Sequence, residues 1–218
     1  MNVLIFGATG LAGGSVLKAC LASPMVDRVH AITRRPLDFS HTKLRVFTHA
    51  NFLDFSATRE AFAGMDTCLF CLGISATQVS GEAEYRKITH DFAIAAAREF
   101  GRQRLGGAFH FISGKSTKID SRMMWARVKG ETERDLIALC EATCWRPGAI
   151  DGETSRSTAL IVKLIHPLYR LLAPFPDLYV TGEDIGRAML QATKEGIRGR
   201  TIENREIREI AARYRPSS

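Results

Sequence analysis

Residues 1–15, Met1-Asn2-Val3-Leu4-Ile5-Phe6-Gly7-Ala8-Thr9-Gly10-Leu11-Ala12-Gly13-Gly14-Ser15, decide the fold. Asn2 to Phe6 is a short, largely apolar run bounded by glycine and too brief for a helix. It predicts a buried parallel strand. Gly7 to Gly10 predicts a tight turn into a helix that opens near Leu11. Each glycine has its own role. Gly7 permits the turn, Gly10 lets the backbone approach a ligand that a Cβ would block, and Gly13 lets the helix sit close on the strand. The unsatisfied N–H groups of the first helical turn and the positive end of the helix dipole then face an anion, most naturally a pyrophosphate. A glycine turn directly after a strand and opening a helix is the context that dinucleotide binding requires.

Working outward, Arg28 to Thr33 predicts a second strand, with Arg34-Arg35-Pro36 at its carboxyl end. An acidic residue there would take both ribose hydroxyls of NAD. An arginine instead pairs with a 2′-phosphate through charge-assisted hydrogen bonds. Arg34 and Arg35 therefore predict NADP(H) in preference to NAD(H). Leu44 to Phe47 predicts a third strand, followed by the loop Asn51-Phe52-Leu53-Asp54 and a helix over 58–63. Asp66 to Leu72 predicts a fourth, after which the backbone at Gly73 passes the cofactor. A long helix from Ala83 towards Phe100, a fifth strand Ala108 to Ile112 and a helix starting near Arg122 follow. Thr143 to Arg146 is the sixth strand, with Pro147-Gly148 at the edge where a nicotinamide lies. The apolar stretch Thr158 to Leu172 predicts a lid or packing helix. Beyond it come a helix capped at Thr181 and running to Lys194, an edge strand Thr201 to Glu203, and a last helix Arg205 to Tyr214. Strands alternating with helices predict an α/β, Rossmann-type, doubly wound parallel sheet. Residues 1–218 read as one unit, with a core over 1–150 and a C-terminal lid region over 151–218.

Composition narrows the function classes. The net charge of +7 invites a nucleic-acid reading. The basic residues are scattered in pairs among acidic neighbours, however, so a solvated basic surface with a pocket for an anionic cofactor is expected, and no nucleic-acid partner. No stretch reaches ~18 uninterrupted apolar residues, so no membrane span is expected. A core strand beginning at Asn2 leaves no room for a targeting leader, and five cysteines without disulfide spacing suit a reducing compartment. The expectation is a cytoplasmic monomer or homodimer. Cys68 and Cys71 stand three apart within a predicted strand and so point to opposite faces, which predicts buried small side chains and no metal.

Taken together, several segments resemble an atypical short-chain dehydrogenase/reductase of the NAD(P)H-binding branch. The carrying residues are the glycine turn, Thr33-Arg34-Arg35, Cys71-Leu72-Gly73, Val128-Lys129-Gly130-Glu131 and Trp145-Arg146-Pro147-Gly148. Three of these segments, Arg34-Arg35, Cys71-Leu72-Gly73 and Val128 to Glu131, are most similar to the Tat-interacting-protein oxidoreductase-like proteins. The resemblance implies cofactor contacts at Gly7, Thr9, Gly10, Leu11, Gly13, Arg34, Arg35, Asn51, Phe52, Leu72, Gly73, Lys129 and Pro147. Asn51 stands where related enzymes carry an Asp that reads the adenine amino group, and Phe52 would border the base. It also implies Tyr-x-x-x-Lys on the helix after the fifth strand, where the Lys binds ribose hydroxyls and lowers the phenol's pKa from near ~10. Lys129 matches the Lys, but the Tyr position is Trp125, whose indole N–H donates a hydrogen bond and cannot shuttle a proton. The family's companion hydroxyl is expected near Gly114, with Ser113 or Ser116 as the candidate serine. Three readings follow. One is a reductase or epimerase-like enzyme, as an oxidoreductase acting on a small carbonyl or alcohol, in which Lys115 or a water held by Ser113 replaces the tyrosine as the acid. The second is an NADP(H)-binding regulator or sensor acting through protein partners. The third is a scaffold whose apolar 158–176 segment recruits a partner.

Overall fold

The computed structural model describes residues 1–152 and 172–215. The predicted lid helix therefore lies, but for Leu172, outside the described residues. In chain order the elements begin with β1 (Asn2–Phe6), α1 (Leu11–Ala22), β2 (Arg28–Thr33), β3 (Leu44–Thr48), β4 (Thr67–Phe70), α2 (Glu82–Arg86), α3 (Phe92–Gln103) and β5 (Ala108–Ile112). They continue with α4 (Met124–Cys140), β6 (Thr143–Arg146), β7 (Ala149–Asp151), β8 (Tyr179–Thr181), α5 (Gly182–Glu195), β9 (Thr201–Glu203) and α6 (Asn204–Ala212).

Seven strands form one parallel sheet in the order β3-β2-β1-β4-β5-β6-β9. Its α/β, Rossmann-like architecture is the one the strand–helix alternation predicts. Val3 and Ile5 point to one face, into a cluster with Val16, Leu17, Leu69, Trp145 and Ile185. Leu4 and Phe6 point to the other, with Phe70, Ala96, Phe109 and Leu136. Burial on both faces explains why β1 reads as a continuous apolar run. Cys68 and Cys71 fall in opposite clusters, as the period of a strand demands.

Two local readings change, and one strand pair is added. The helix expected over 58–63 is a 3₁₀ turn, Ser56–Ala61, interrupted at Thr58. The long helix is α2 and α3 joined through a π turn over Lys87–Asp91. Across it runs a ladder to α4: Arg127 pairs with Glu82 at 2.7 Å, Arg86 with Glu131, and His90 with Asp135 at 2.9 Å. All three rungs have the same sequence offset of 45, so the two helical segments run parallel and in step. Finally, β7 and β8 form a small parallel pair of their own. Three-residue strands bridging such a separation carry too little pattern to be read from sequence.

Candidate functional site

The strand order reverses at β1, so a crevice opens where the carboxyl ends of β1 and β4 part. It is lined by Gly7, Ala8, Thr9 and Gly10 after β1, and by Ile32, Thr33, Arg34 and Arg35 at the end of β2. Phe52 and the post-β4 residues Cys71, Leu72 and Gly73 complete it. The glycine turn has a geometric cause. Gly7 has φ +78°, and a Cβ there would lie 2.5 Å from the Cys71 carbonyl oxygen. A Cβ on Gly13 would fall 2.1 Å from the Gly7 oxygen, so α1 can approach β1 only with glycine at 13. Gly10 caps α1 and donates its N–H to the Gly7 oxygen at 2.9 Å. No side chain caps this helix and no acidic residue sits in its first turn. The helix thus starts directly behind the Gly7–Gly10 lining with no acidic residue in its own first turn, and a pyrophosphate fits this cradle. A Cβ on Gly73 would meet no atom of the described residues within 4 Å, so none of them requires glycine there.

Arg34 and Arg35 are exposed at the rim, where the Thr33 hydroxyl donates to the Arg35 carbonyl at 2.6 Å and turns the chain. Neither guanidinium has a carboxylate partner among the described residues. Phe52 is buried among Phe6, Phe55 and Phe92. Asn51 is not in the lining. It is exposed, its Oδ1 accepts from the Leu53 N–H at 3.2 Å, and its carbonyl accepts from His49 Nε2 at 2.8 Å. Leu11 and Gly13 lie behind the lining, in α1.

The remaining expected residues gather at the carboxyl ends of β5 and β6. Trp125 and Lys129 are four apart on α4 and share a face. Lys129 Nζ donates to the Ser113 carbonyl at 2.6 Å. Burial pushes the Lys129 ammonium down to about 8, although Glu133 one turn on pulls it upward. Glu133 is itself held by Arg146 at 2.6 and 2.9 Å.

Ser113 contributes its backbone and not its hydroxyl. Thr117 Oγ1 donates to the Gly114 carbonyl at 2.7 Å, so the buried Ser113 hydroxyl donates to Thr117 Oγ1 at 3.1 Å and turns into the loop. A Cβ on Gly114 would instead stand 3.5 Å from Lys129 Nζ. Position 114 faces the lysine, and it is glycine. Lys115 is also committed, its Nζ to the Asp177 carbonyl at 2.6 Å and its N–H to the Pro147 carbonyl at 2.9 Å. Sequence reading missed Ala8, Ile32, Thr33 and Cys71 in the lining, and Thr117 beside Ser113. Ala8, Thr33 and Cys71 stood within the segments that carry the resemblance, whereas Ile32 and Thr117 had no such signal.

Comparison with known proteins gives a consistent picture. The chain is 29% identical over 220 residues to the Eremothecium gossypii protein named "Protein FMP52, mitochondrial", covering 95% of this chain and 96% of the relative. The Saccharomyces cerevisiae protein of that name is 29% identical over 203 residues, covering 86% and 85%. The Aspergillus clavatus protein is 30% identical over 173 residues, covering 75% and 74%. These names point to mitochondria and overturn the cytoplasmic expectation. That expectation rested on reading the first core strand as leaving no room for a leader, which is no guide to where a chain resides. Among the described residues no helix is long and apolar enough to cross a membrane.

Among solved structures, dTDP-glucose 4,6-dehydratase DesIV from Streptomyces venezuelae, with NAD and TYD bound, superposes with a TM-score of 0.71 at 17% identity, covering 97% of this chain and 80% of that one. Uronate dehydrogenase from Agrobacterium tumefaciens gives 0.68 at 14% identity, covering 100% and 84%. At that identity the likeness shows the fold alone. The model of the NAD dependent epimerase/dehydratase family matches residues 3–117, from the opening strand to the loop after β5, and the chain belongs to that family.

Proposed function

We propose that the chain is an NADP(H)-binding oxidoreductase acting on a small carbonyl or alcohol. The observation that carries the cofactor choice is Arg34-Arg35 at the rim of the glycine-turn crevice, exposed and without carboxylate partners among the described residues. In this reading the α1 N–H groups hold the pyrophosphate, and the two guanidiniums hold the 2′-phosphate. Phe52 borders the adenine, Gly73 gives the cofactor close passage, and Lys129 meets the ribose beside Trp125 and Pro147. The bound cofactor supplies hydride chemistry. The likeness of Arg34-Arg35, Cys71-Leu72-Gly73 and Val128 to Glu131 to Tat-interacting-protein oxidoreductase-like proteins supports the same assignment.

Titration calorimetry with NADPH and NADH tests it. Wild type is expected to prefer NADPH. Arg34→Ala and Arg35→Ala are each expected to lose ~1.5–3 kcal/mol of NADPH affinity, the worth of a charge-assisted hydrogen bond, with NADH affinity unchanged. Equal affinity of wild type for both cofactors refutes the assignment.

A second reading has its own observation. With Trp125 at the tyrosine spacing and glycine at 114, both hydroxyls of the usual proton path are missing. This favours a non-catalytic NADP(H)-binding regulator or sensor that works through a protein partner. Cofactor binding without turnover selects it.

A further inference from the structure

Resting on the oxidoreductase reading, we propose that Lys129 Nζ is itself the proton donor of the reaction, in place of the absent phenol. Three observations of position carry this. First, the other candidates are engaged elsewhere: Lys115 Nζ is bound to the Asp177 carbonyl, and the Ser113 hydroxyl is buried against Thr117. Second, the Lys129 ammonium is anchored by one neutral acceptor, the Ser113 carbonyl, and has no carboxylate within ion-pair distance among the described residues. The acidic groups around it are taken. Glu133 on the next turn is gripped by Arg146, and Glu131 pairs with Arg86. Third, glycine at 114 leaves the space 3.5 Å from Nζ free of side chain, so a carbonyl oxygen can enter where a hydroxyl would otherwise stand.

The step balances. As hydride from the reduced nicotinamide reaches the carbonyl carbon, the C=O π pair moves onto oxygen. An Nζ–H bond of Lys129 breaks towards that oxygen, giving the alcohol and the oxidised cofactor. Lys129 is left as a neutral amine and regains a proton from water. An ammonium depressed to about 8 is suited to this exchange near neutral pH, whereas an unperturbed lysine near ~10.4 is a weak donor.

The test has two parts. Competitive labelling of wild type with an amine-reactive reagent, read residue by residue by mass spectrometry, is expected to give Lys129 a midpoint near pH 8, well below the exposed lysines. This needs neither a variant nor turnover. Second, NADPH oxidation over an aldehyde and ketone panel is expected to be flat below about pH 8 and to fall tenfold per unit above it. Lys129→Arg keeps a cation but cannot release its proton, so kcat is expected to fall ~10²-fold or more while NADPH affinity changes only a few-fold. A Lys129 midpoint like that of surface lysines, or Lys129→Arg turning over like wild type, overturns the proposal. So does wild type that binds NADPH yet shows no turnover, which leaves the binding assignment standing. Failure to bind NADPH at all overturns the oxidoreductase reading itself.

Discussion

The two ends of the proposed cofactor crevice are built differently. The end formed by β1, β2 and β4 is a backbone device on an aromatic floor. Its glycine turn is dictated by close approach at Gly7 and Gly13, and beneath it Phe6 touches Phe52, Phe55, Phe62 and Phe70 with ring centroids 5.1–6.1 Å apart. The end formed by β5 and β6 depends on side chains and rests on polar contacts. There Lys129 leans on the Ser113 carbonyl, and Arg146 bridges Glu133 and Glu203. Below, His110 Nδ1 accepts from the Trp145 indole at 3.1 Å, so Nε2 carries the proton and donates to Thr193 Oγ1 at 2.9 Å. Backbone devices tolerate side-chain substitution around them, whereas a site made of side chains is rewritten by two replacements. That asymmetry would allow one chain to combine a complete glycine turn with the altered proton path proposed at the β5–β6 end.

Acid offers the most forceful way to break the β5–β6 end. Burial holds the His110 imidazole down to about 3, with Arg198 adding to the effect. Below about pH 6.5 the unfolded chain takes up a proton that the native state refuses. Stability from this group is therefore whole above that pH and is lost as pH falls towards 3. The linkage amounts to roughly 4–5 kcal/mol if fully expressed. Denaturant unfolding at pH 7, 5.5 and 4.5 should show wild type losing stability faster than His110→Asn, which cannot titrate. Parallel curves would show that His110 is not the sensor.

The glycine end should break differently, losing ligand and not fold. Gly10 has extended backbone angles, and an added Cβ would meet only the Gly7 oxygen, at 3.3 Å. Gly10→Val is therefore expected to fold and to bind NADPH at least ~100-fold more weakly, about 3 kcal/mol, because its side chain fills the anion's approach. Unchanged affinity in a folded variant would mean that the turn serves packing alone. By contrast, substitution at Gly13 should cost the fold itself, since the clash there is with backbone.

What the sequence disclosed follows the same division. β1, β2, β5, β6 and β9 occupy the residues read as strands, and Arg34 and Arg35 line the crevice because the end of β2 places them there. β4 is shorter than its apolar run, because Cys71 and Leu72 are still hydrophobic after the chain has begun to turn. The β5 end was harder to read. Side chains alternate along a strand, so a shift of one residue exchanges Ser113 for Gly114 as the group facing Lys129. Only the bond from Thr117 to the Gly114 carbonyl, which turns the Ser113 hydroxyl away, settles that register. Asn51 is a local case of the same limit, because its amide caps its own loop at the Leu53 N–H.

The smallest expected effect is also the sharpest test of the β5–β6 end. Trp125→Tyr restores a phenol four residues before Lys129 on one face of α4, and the nearby ammonium should draw the phenol's pKa below ~10. General acid catalysis by a well-placed group is worth ~10²–10⁴-fold, but the restored phenol lacks the second hydroxyl, since position 114 is glycine. Trp125 is also half-buried, and a smaller ring there leaves space beside it. A rise of only ~10-fold in NADPH-dependent carbonyl reduction is therefore expected from Trp125→Tyr. Adding Gly114→Ser, whose Cβ would stand 3.5 Å from Lys129 Nζ, should raise it further in the Trp125→Tyr background, whereas the serine alone fills the space a carbonyl enters beside Lys129 and should lower the wild-type rate. Rates of NADPH oxidation for wild type, both single variants and the double variant complete the cycle. Strict additivity of the two changes would mean that positions 114 and 125 do not address the same reacting oxygen.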